Sequence, residues 1–204
     1  MKWLIGVDEV GRGPLAGPVT VCAVLIKRQA SGKSGSLPFG TGPVRDSKAL
    51  SAKQREVKLK EFKNLRGQGS LEWRIASVSA RVIDERGIVS AVHLAIVRAL
   101  RALVSQHQML PSRCEVLLDG GLRAPREYTN QRTIIRGDAT VPIIAAASII
   151  AKVHRDRLMI RLAARHPSWG FDKHKGYGTR LHYSRIKKHG LSHIHRRSFL
   201  GLSK

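Results

Sequence analysis

The chain has 204 residues, 42% of them hydrophobic, and is long enough to fold around a substantial core. Its 37 basic and 14 acidic residues give a formal net charge of +23, and the basic residues recur along the whole sequence. This charge favours nucleic acid as a partner, with a solvated basic surface or an anionic membrane as alternatives. Two cysteines are too few for a disulfide framework or a four-ligand zinc site, which excludes disulfide-rich and zinc-finger proteins.

The N-terminus and the cysteines favour a cytoplasmic protein. Met1-Lys2 leads into a short apolar stretch that lacks the small-residue cleavage site of a secretory signal. No apolar run in the sequence approaches the length of a membrane span. Cys22 and Cys114 lie in apolar segments, so both are expected to be small buried side chains.

Strand patterns dominate the first third of the chain. β-Branched residues predict strands over 3–7 and 19–26, and the Gly- and Pro-containing segment 11–18 would join them as an antiparallel pair. The segment 29–43 is rich in Ser, Gly and Lys and has no apolar period. It is therefore predicted to be a flexible loop that carries no chemistry.

Helical spacing then alternates with a further strand pattern. Apolar positions predict a helix over 52–65, with Ser51 as a suitable N-cap. Alternation predicts a third strand over 71–82. An amphipathic helix is predicted over 88–104 from five apolar positions at helical spacing, Val89, Val92, Ile96, Leu100 and Leu103.

The second half of the chain continues with strands and a long helix. A buried strand is predicted over 114–118, followed by a short strand over 132–136 and a turn over 137–140. A helix is predicted from Pro142 to about residue 165, and short basic helical pieces finish the chain. Since neither an internal repeat nor a second core is evident, this order predicts an α/β fold with a mixed sheet flanked by helices.

The few acidic residues mark the candidate chemistry. Asp8-Glu9 follow the first strand, Asp119 follows the strand over 114–118, and Asp138 lies in the turn before the long helix. Two-metal phosphodiester chemistry needs carboxylates that converge on cations about 3.5–4 Å apart. Any one of these acids alone is better interpreted as a turn-capping carboxylate. Together they predict a divalent-metal site.

Several motifs together resemble the ribonuclease HII family, the type 2 ribonucleases H. They occur in order over nearly the whole chain: Asp8-Glu9-Val10-Gly11-Arg12-Gly13-Pro14-Leu15-Ala16-Gly17-Pro18, Asp46-Ser47-Lys48, Leu118-Asp119-Gly120, Gly137-Asp138, the run from Ala145 to Asp156, His174-Lys175-Gly176-Tyr177-Gly178-Thr179 and His195-Arg196-Arg197-Ser198-Phe199. The related ribonuclease HIII carries Lys in the Gly-x-Gly element, so Arg12 favours the HII type.

The resemblance implies a fold, a reaction and a set of metal ligands. The fold would be RNase H-like, with a catalytic domain over 1–165 and a small C-terminal helical extension over 166–204. The reaction would be Mg²⁺- or Mn²⁺-dependent endonucleolytic cleavage of the RNA strand of RNA–DNA hybrids, and nicking 5′ of ribonucleotides embedded in duplex DNA. The chain would act as a monomer. The catalytic and metal-binding acids would be Asp8, Glu9, Asp119 and Asp138.

Seven residues are expected to bind the substrate: Gly11, Arg12, Gly13, Ser47, Lys48, Lys152 and Tyr177. Glycines let a backbone approach closely, and a guanidinium between them suits contact with a phosphate or a 2′-OH. Tyr177 lies between two glycines and resembles the sugar-stacking tyrosine of the family. The three remaining residues are candidate contacts, although a single Lys in so basic a chain is usually only solvated.

Other polar residues have less specific interpretations. Asp156, between Arg155 and Arg157, is expected to be a structural ion-pair partner. Three histidines lack zinc-ligand spacing with the cysteines and are expected to make surface or backbone contacts, namely His174, His193 and His195. Gly121 and Gly87 stand where the family usually has Asn, so substrate fit near Asp119 could differ.

The alternative function is that of a non-catalytic, basic RNA-binding protein of ribosomal type. Size and net charge permit it equally well. The acids distinguish the two functions, because carboxylates on a phosphate-facing surface would repel RNA.

Overall fold

The computed structural model describes residues 3–27 and 50–202. The strands in these residues are β1 Trp3–Val10, β2 Val19–Lys27, β3 Glu72–Val78, β4 Cys114–Asp119 and β5 Asn130–Ile134. The α-helices are α1 Ala52–Gly67, α2 Ala80–Gln106, α3 Gly137–Thr140, α4 Pro142–Arg165, α5 Phe171–His174 and α6 Arg180–His189. Short 3₁₀ turns cover Pro111–Arg113, Pro167–Trp169 and Arg197–Leu200. The expected loop over 29–43 lies outside the described residues.

The strands form one mixed sheet in the order β3-β2-β1-β4-β5. The first three strands of the chain pair antiparallel, which confirms the predicted pairing of β1 with β2. β1 also pairs parallel with β4, and β4 pairs parallel with β5. Because parallel strands end at the same edge of a sheet, the carboxyl ends of β1 and β4 lie side by side.

Helices cover both faces of the sheet, as predicted. The buried face of α2 packs on one side with Ile5, Val7 and other strand residues. The N-terminal half of α4 and the apolar face of α1 pack on the other side. A Cβ at Gly6 would lie only 2.6 Å from the carbonyl carbon and oxygen of Ile143, so glycine there lets α4 contact β1 closely. The start of α4 is thereby held against the strand that carries Asp8.

Most predicted helix ends are confirmed. Ser51 caps α1 through a capping box with Gln54, in which each side chain accepts from the backbone N–H of the other residue. Pro142 begins α4, which ends at Arg165. The segment 137–140, predicted as a turn, forms the short helix α3.

The prediction of a strand through residue 82 is wrong at its end. β3 ends at Val78, and Ser79 caps α2 by accepting a hydrogen bond from the backbone N–H of Val82. Side-chain capping thus overrides the alternating pattern. Gly87 interrupts α2 with a φ of 79° and a ψ of 159°, a conformation that favours glycine. The amphipathic helix predicted from residue 88 begins directly after this kink.

Among the described residues, α2 is the only helix with the length and hydropathy of a membrane span, with a mean hydropathy of 1.7. This differs from the expectation that no segment is apolar enough. The buried residues of α2 include Val92, Ile96, Leu100 and Leu103, and they pack against the sheet. A core helix needs the same apolar composition, so packing accounts for it.

The C-terminal elements pack on α4 and on the loop between β1 and β2, which we call the 11–18 loop. Met159 of α4, Phe171 of α5 and Ala16 of the loop form a small buried cluster. Backbone hydrogen bonds also join the two segments, from Leu15 N–H to Gly176 O and from Arg196 N–H to Leu15 O, both 2.8 Å long. The domain boundary at residue 165 stays a prediction.

Candidate active site

Three of the four predicted acids converge at one edge of the sheet. Asp8 lies near the carboxyl end of β1, and Asp119 is the last residue of β4, the parallel neighbour of β1. Asp138 comes from α3, directly after β5. One ligand oxygen from each of these residues lies within 4.8 Å of the other two. We call Asp8, Asp119 and Asp138 the acidic cluster.

Local backbone geometry brings Asp138 to Asp119. The backbone N–H of Asp138 donates a hydrogen bond of 3.1 Å to Asp119 Oδ1. A Cβ at Gly137 would lie 2.7 Å from Ile144 Cδ1 and 3.3 Å from Asp119 Oδ1. Glycine at position 137 therefore lets α3 sit directly against the end of β4.

The electrostatics of the acidic cluster suit a bound cation. The pKa of Asp8 is raised well above its usual value, first by burial and then by the negative charges of Glu9 and Asp119. A hydrogen bond from the Ser148 side chain opposes this shift. Carboxylates crowded together out of water are costly unless a cation neutralises them, and carboxylate oxygens are the ligands that Mg²⁺ and Mn²⁺ prefer. The donor set thus fits a hard divalent metal.

Glu9, the fourth predicted acid, is not part of the acidic cluster. Its Oε1 lies 3.4 Å from Arg12 Nη1, an ion pair on the surface of the cleft. Since Arg12 is about half exposed, this contact is weak and could exchange for a ligand or a phosphate. The role of Glu9 as a metal ligand remains a prediction.

Asp8 and Asp119 of the acidic cluster line a cleft of roughly 280 Å³. Its lining combines predicted metal ligands with predicted substrate contacts: Asp8, Glu9, Asp119, Gly11, Arg12, Gly13, Lys152 and Tyr177, together with Val10 and Ser148. Five of the seven expected substrate-binding residues therefore lie in the same cleft as the acids. The other two, Ser47 and Lys48, lie outside the described residues.

Two buried arginines donate hydrogen bonds to backbone carbonyl oxygens of the 11–18 loop. Arg196 donates to the carbonyl oxygens of Gly11, Arg12 and Gly17 at 2.6, 2.7 and 3.0 Å. Arg155 donates to the carbonyl oxygens of Ala16, Pro18 and Lys175 at 3.3, 3.0 and 3.0 Å. Both side chains are fully buried. Burial lowers the pKa of Arg155, and burial together with the Arg155 charge lowers the pKa of Arg196 to about 9.

This anchoring sets the direction of the loop amides. A trans peptide points its N–H opposite to its C=O. Because Arg196 binds the carbonyls of Gly11 and Arg12, the N–H groups of Arg12 and Gly13 point away from the guanidinium. Gly11 has a φ of 90°, and a side chain there would collide with Arg155. Both arginines belong to motifs of the sequence, but this role could not be predicted, because no local pattern indicates which carbonyls they contact.

Tyr177 stands at the rim of the cleft, 40% exposed. Its ring centroid lies 5.8 Å from the Arg155 guanidinium and 6.0 Å from Lys152 Nζ, distances that allow cation–π interactions. Lys152 Nζ in turn donates 2.8 Å to Asp156 Oδ1, and Arg55 lies 3.9 Å from the other oxygen of Asp156. Asp156 is thus in an ion-pair network, as expected, but with these partners instead of its sequence neighbours.

The three histidines expected to make surface or backbone contacts differ in their burial. His174 and His195 are buried, whereas His193 is exposed. The expectation of backbone contacts holds, because His174 Nε2 donates to Trp169 O at 2.8 Å and His195 Nδ1 accepts from Ser192 N–H at 2.9 Å. Both cysteines are free and buried, as expected.

Comparison with known proteins points to one family. A family model described as "Ribonuclease HII" matches residues 5–201. A ribonuclease HII of Synechococcus sp. (strain WH7803) is 44% identical over 196 residues, which cover 96% of this chain and 93% of that relative.

Solved structures share the fold. Ribonuclease H2 from Pyrococcus horikoshii OT3 is 27% identical with a TM-score of 0.60, covering 96% of this chain and 93% of that chain. Bst-RNase HIII in complex with Mn²⁺ is 17% identical with a TM-score of 0.63, covering 100% of this chain and 70% of that chain. These likenesses confirm the expected RNase H-like fold.

Proposed function

The chain belongs to the ribonuclease HII family and is an RNase H endonuclease, and we propose that it cleaves its substrate at the acidic cluster with Mg²⁺ or Mn²⁺. Asp8, Asp119 and Asp138 would hold the metal, with Glu9 as the fourth ligand. The Mn²⁺ complex of the structurally similar Bst-RNase HIII supports a divalent metal. The alternative of a non-catalytic RNA-binding protein is not favoured.

The residues of the cluster would prepare the site before the substrate arrives. The Ser148 hydroxyl and the Asp138 N–H each donate to a cluster carboxylate, which restrains Asp8 and Asp119. When bound, two divalent cations supply Lewis-acid stabilisation of the attacking and leaving oxygens in a phosphodiester displacement. The sheet edge and α3 contribute rigid support, which keeps the carboxylates in place.

The cleft also supports recognition of a ribonucleotide that is followed by DNA. The N–H groups of Arg12 and Gly13, turned away from Arg196, could contact a phosphate or a 2′-OH. The exposed ring of Tyr177 could stack on the next sugar, where an additional 2′-OH would displace it. The enzyme would then nick 5′ of a ribonucleotide embedded in duplex DNA and leave it on a 5′-phosphate end. Lys152, Ser47 and Lys48 would add phosphate contacts.

Such an activity suits ribonucleotide excision and primer removal during DNA replication and repair. We further propose that the chain acts as a monomer in the cytoplasm, since its free, buried cysteines suit a reducing compartment. The catalytic domain would span 1–165 and the helical extension 166–204.

The observation that carries the proposal is that Asp8, Asp119, residues 11–13 and Tyr177 line one cleft, with Asp138 within 4.8 Å of the two aspartates. A labelled DNA duplex with one embedded ribonucleotide, incubated with and without Mg²⁺, tests it. Cleavage 5′ of the ribonucleotide only with metal is expected. Cleavage of long RNA–DNA hybrids with an intact single-ribonucleotide duplex would contradict the proposed junction recognition.

Replacement of Tyr177 by Ala sharpens this test. Loss of one sugar-stacking contact should lower kcat/KM on the single-ribonucleotide duplex about tenfold, because base or sugar stacking contributes roughly 1–3 kcal/mol. A lysine far from the cleft provides the matched control, and Lys60→Ala on the exposed face of α1 should change kcat/KM little. Equal losses in the two variants would remove Tyr177 from the substrate site.

A further inference from the structure

A cluster of buried histidines in the C-terminal extension is not used by the chemistry of the acidic cluster. His174, His182 and His195 are each less than 10% exposed. The rings of His174 and His182 stack with centroids 4.2 Å apart, and Phe171 meets each of them edge-on. Buried imidazoles must satisfy both ring nitrogens, so their hydrogen bonds define their protonation.

The contacts of His182 and His195 fix one neutral arrangement. His182 Nδ1 lies 2.9 Å from the carbonyl oxygen of Tyr177, and a carbonyl only accepts, so Nδ1 carries the proton. His182 Nε2 is then an acceptor and receives the Nε2–H of His195 at 3.0 Å. His195 Nδ1 is left as an acceptor, which matches its 2.9 Å contact with the backbone N–H of Ser192.

His174 completes the arrangement from the other side. Its Nε2–H donates to Trp169 O at 2.8 Å, and its Nδ1 accepts from Gly176 N–H at 3.2 Å. Its carbonyl oxygen accepts from Tyr177 N–H at 2.9 Å. All six ring nitrogens of the three histidines are therefore occupied, which leaves none to bind a metal. Residues 176–178, which we call the Tyr177 turn, are held by His174 and His182.

The same network reaches the 11–18 loop. His195 forms an isolated β-bridge with Ala16, and Leu15 N–H donates to Gly176 O at 2.8 Å. Gly176 has a φ of 86°, and a side chain there would collide with the Ala16 carbonyl oxygen. The Tyr177 turn and the 11–18 loop therefore lie in direct contact. His182 and His195 also connect them, because His182 contacts the Tyr177 carbonyl, His195 pairs with Ala16, and the two imidazole rings are hydrogen-bonded to each other.

We propose that His174, His182 and His195 are positioning residues that set Tyr177 relative to the 11–18 loop and so contribute to recognition of the ribonucleotide–DNA junction. The inference rests on the proposed function of Tyr177 and of the loop. None of the three histidines touches the substrate. They act through the backbone of the Tyr177 turn.

The electrostatic environment also favours the neutral form of these histidines. Burial lowers the pKa of all three imidazoles, that of His195 to about 4, and neighbouring histidines lower the values for His182 and His195 further. Around His174, Asp172 favours the charged form and Lys175 opposes it. On the side of His195, His166 disfavours a charge, and a pocket next to it contains Arg81, Asp84, Glu85, His193 and Arg197. If His182 were protonated, its Nε2–H would face the Nε2–H of His195, and two donors would replace the hydrogen bond between the rings.

Two measurements test the proposal, and the first needs no activity. Imidazole ¹⁵N spectra of the folded wild-type protein should show the Nδ1–H tautomer for His182 and the Nε2–H tautomer for His174 and His195. None of the three should become protonated between pH 8 and pH 6. A different set of tautomers, or titration at the ordinary histidine pKa, would overturn the network.

The second measurement compares variants of His182. Asn at this position can still donate an N–H toward the Tyr177 carbonyl, whereas Leu cannot. His182→Leu should raise KM on the single-ribonucleotide duplex about five- to tenfold with little change in kcat, the effect of one lost hydrogen bond, and His182→Asn should restore most of it. His189→Asn, on the exposed face of the same helix, is the matched control.

The outcomes separate this inference from the proposed function. Suppose that the wild-type protein cleaves the junction with Mg²⁺ and that His182→Leu, shown to be folded by circular dichroism, keeps the wild-type KM. The positioning role then fails, whereas the proposed function stands. If His182→Leu does not fold, the KM of His182→Asn and the wild-type spectra still decide. If the wild-type protein does not cleave the junction, the proposed function fails, whereas the tautomers can still be as expected.

Discussion

Two aspartates of the acidic cluster and five of the residues expected to bind substrate line one cleft, but the chain holds the two groups in place by different means. Asp8 and Asp119 end neighbouring parallel strands, so the register of the sheet alone brings them together. The 11–18 loop and the Tyr177 turn lie outside the sheet, and only a few backbone hydrogen bonds join them to each other and to the C-terminal segment. Buried side chains, those of Arg155, Arg196 and the three histidines, also hold their backbone. Strand pairing thus brings two of the proposed metal ligands together, whereas buried side chains support the segments proposed to recognise the substrate.

This difference predicts that different substitutions impair catalysis and substrate recognition. A change in the acidic cluster should abolish catalysis while leaving the nucleic-acid surface intact. A change in the supporting side chains should weaken recognition while leaving metal binding intact. Three experiments examine this separation, in decreasing order of expected effect.

Replacement of Asp119 by Asn should have the largest effect. Loss of one anionic metal ligand should lower kcat by about a thousandfold or more, since metal assistance supplies several kcal/mol of transition-state stabilisation. Binding of the hybrid should stay the same or become slightly tighter, because a negative charge leaves a phosphate-facing surface. Single-turnover cleavage and filter binding in Ca²⁺ would measure the two effects. Near-normal turnover in Mg²⁺ would exclude Asp119 from the site.

Asp156→Asn is the matched control for this experiment. Asp156 lies near the same cleft but pairs with Lys152 and Arg55, so its loss should act through stability and through the position of Lys152. A well-folded Asp156→Asn variant as inactive as Asp119→Asn would contradict the assignment of Asp156 as a structural residue.

Replacement of Arg196 by Lys should have an intermediate effect. Lysine keeps the positive charge but cannot bridge the carbonyls of Gly11, Arg12 and Gly17, so the loop amides should lose their direction. A displacement of this kind can reduce kcat/KM by about a hundredfold at most. The stabilisation by Mg²⁺, read as a rise in Tm, should survive.

Arg197→Lys provides the control, because this exposed neighbour does not contact the loop carbonyls in the described residues. It should leave kcat/KM nearly unchanged. If Arg196→Lys keeps full activity, Arg196 does not position the 11–18 loop. If the Arg196→Lys variant loses the rise in Tm that Mg²⁺ gives, the acidic cluster and the 11–18 loop are not independent.

The same difference explains how far the sequence could predict the molecule. Strand and helix periods gave the mixed sheet, the antiparallel β1–β2 pair and the helix starting at Pro142, since these features depend on local patterns. The acids were expected to form one site because each lies at the end of an apolar segment, but the parallel pairing of β1 with β4 that brings Asp8 to Asp119 was not predicted. Asp138 was included, although the short helix that carries it was taken for a turn.

The support of the recognition elements could not be predicted in the same way. Arg196 lies more than 180 residues from Gly11, and nothing in its local sequence distinguishes it from exposed Arg197. For His174 and His195 the sequence left surface contacts and backbone contacts open, and the structure buries both. Both rings pack against His182 and Phe171, tertiary contacts that no period reveals.

The smallest expected effect concerns stability, and it contrasts the acidic cluster with its supports. The pKa of Asp8 is raised, first by burial and then by the charge of Glu9, so folding favours the protonated form and ionisation of Asp8 costs stability in the absence of metal. Asp8→Asn should therefore raise Tm in EDTA, by about 2–4 °C if the cost is roughly 1 kcal/mol. The same variant should lose most of the Tm increase that Mg²⁺ gives the wild type, because the neutral amide is a poorer ligand. Glu127→Gln, an exposed acid remote from the cluster, should change neither value. If Asp8→Asn lowers Tm in EDTA, the carboxylate is stabilised by the fold without a cation, and the acidic cluster does not carry the electrostatic strain that a bound metal would relieve.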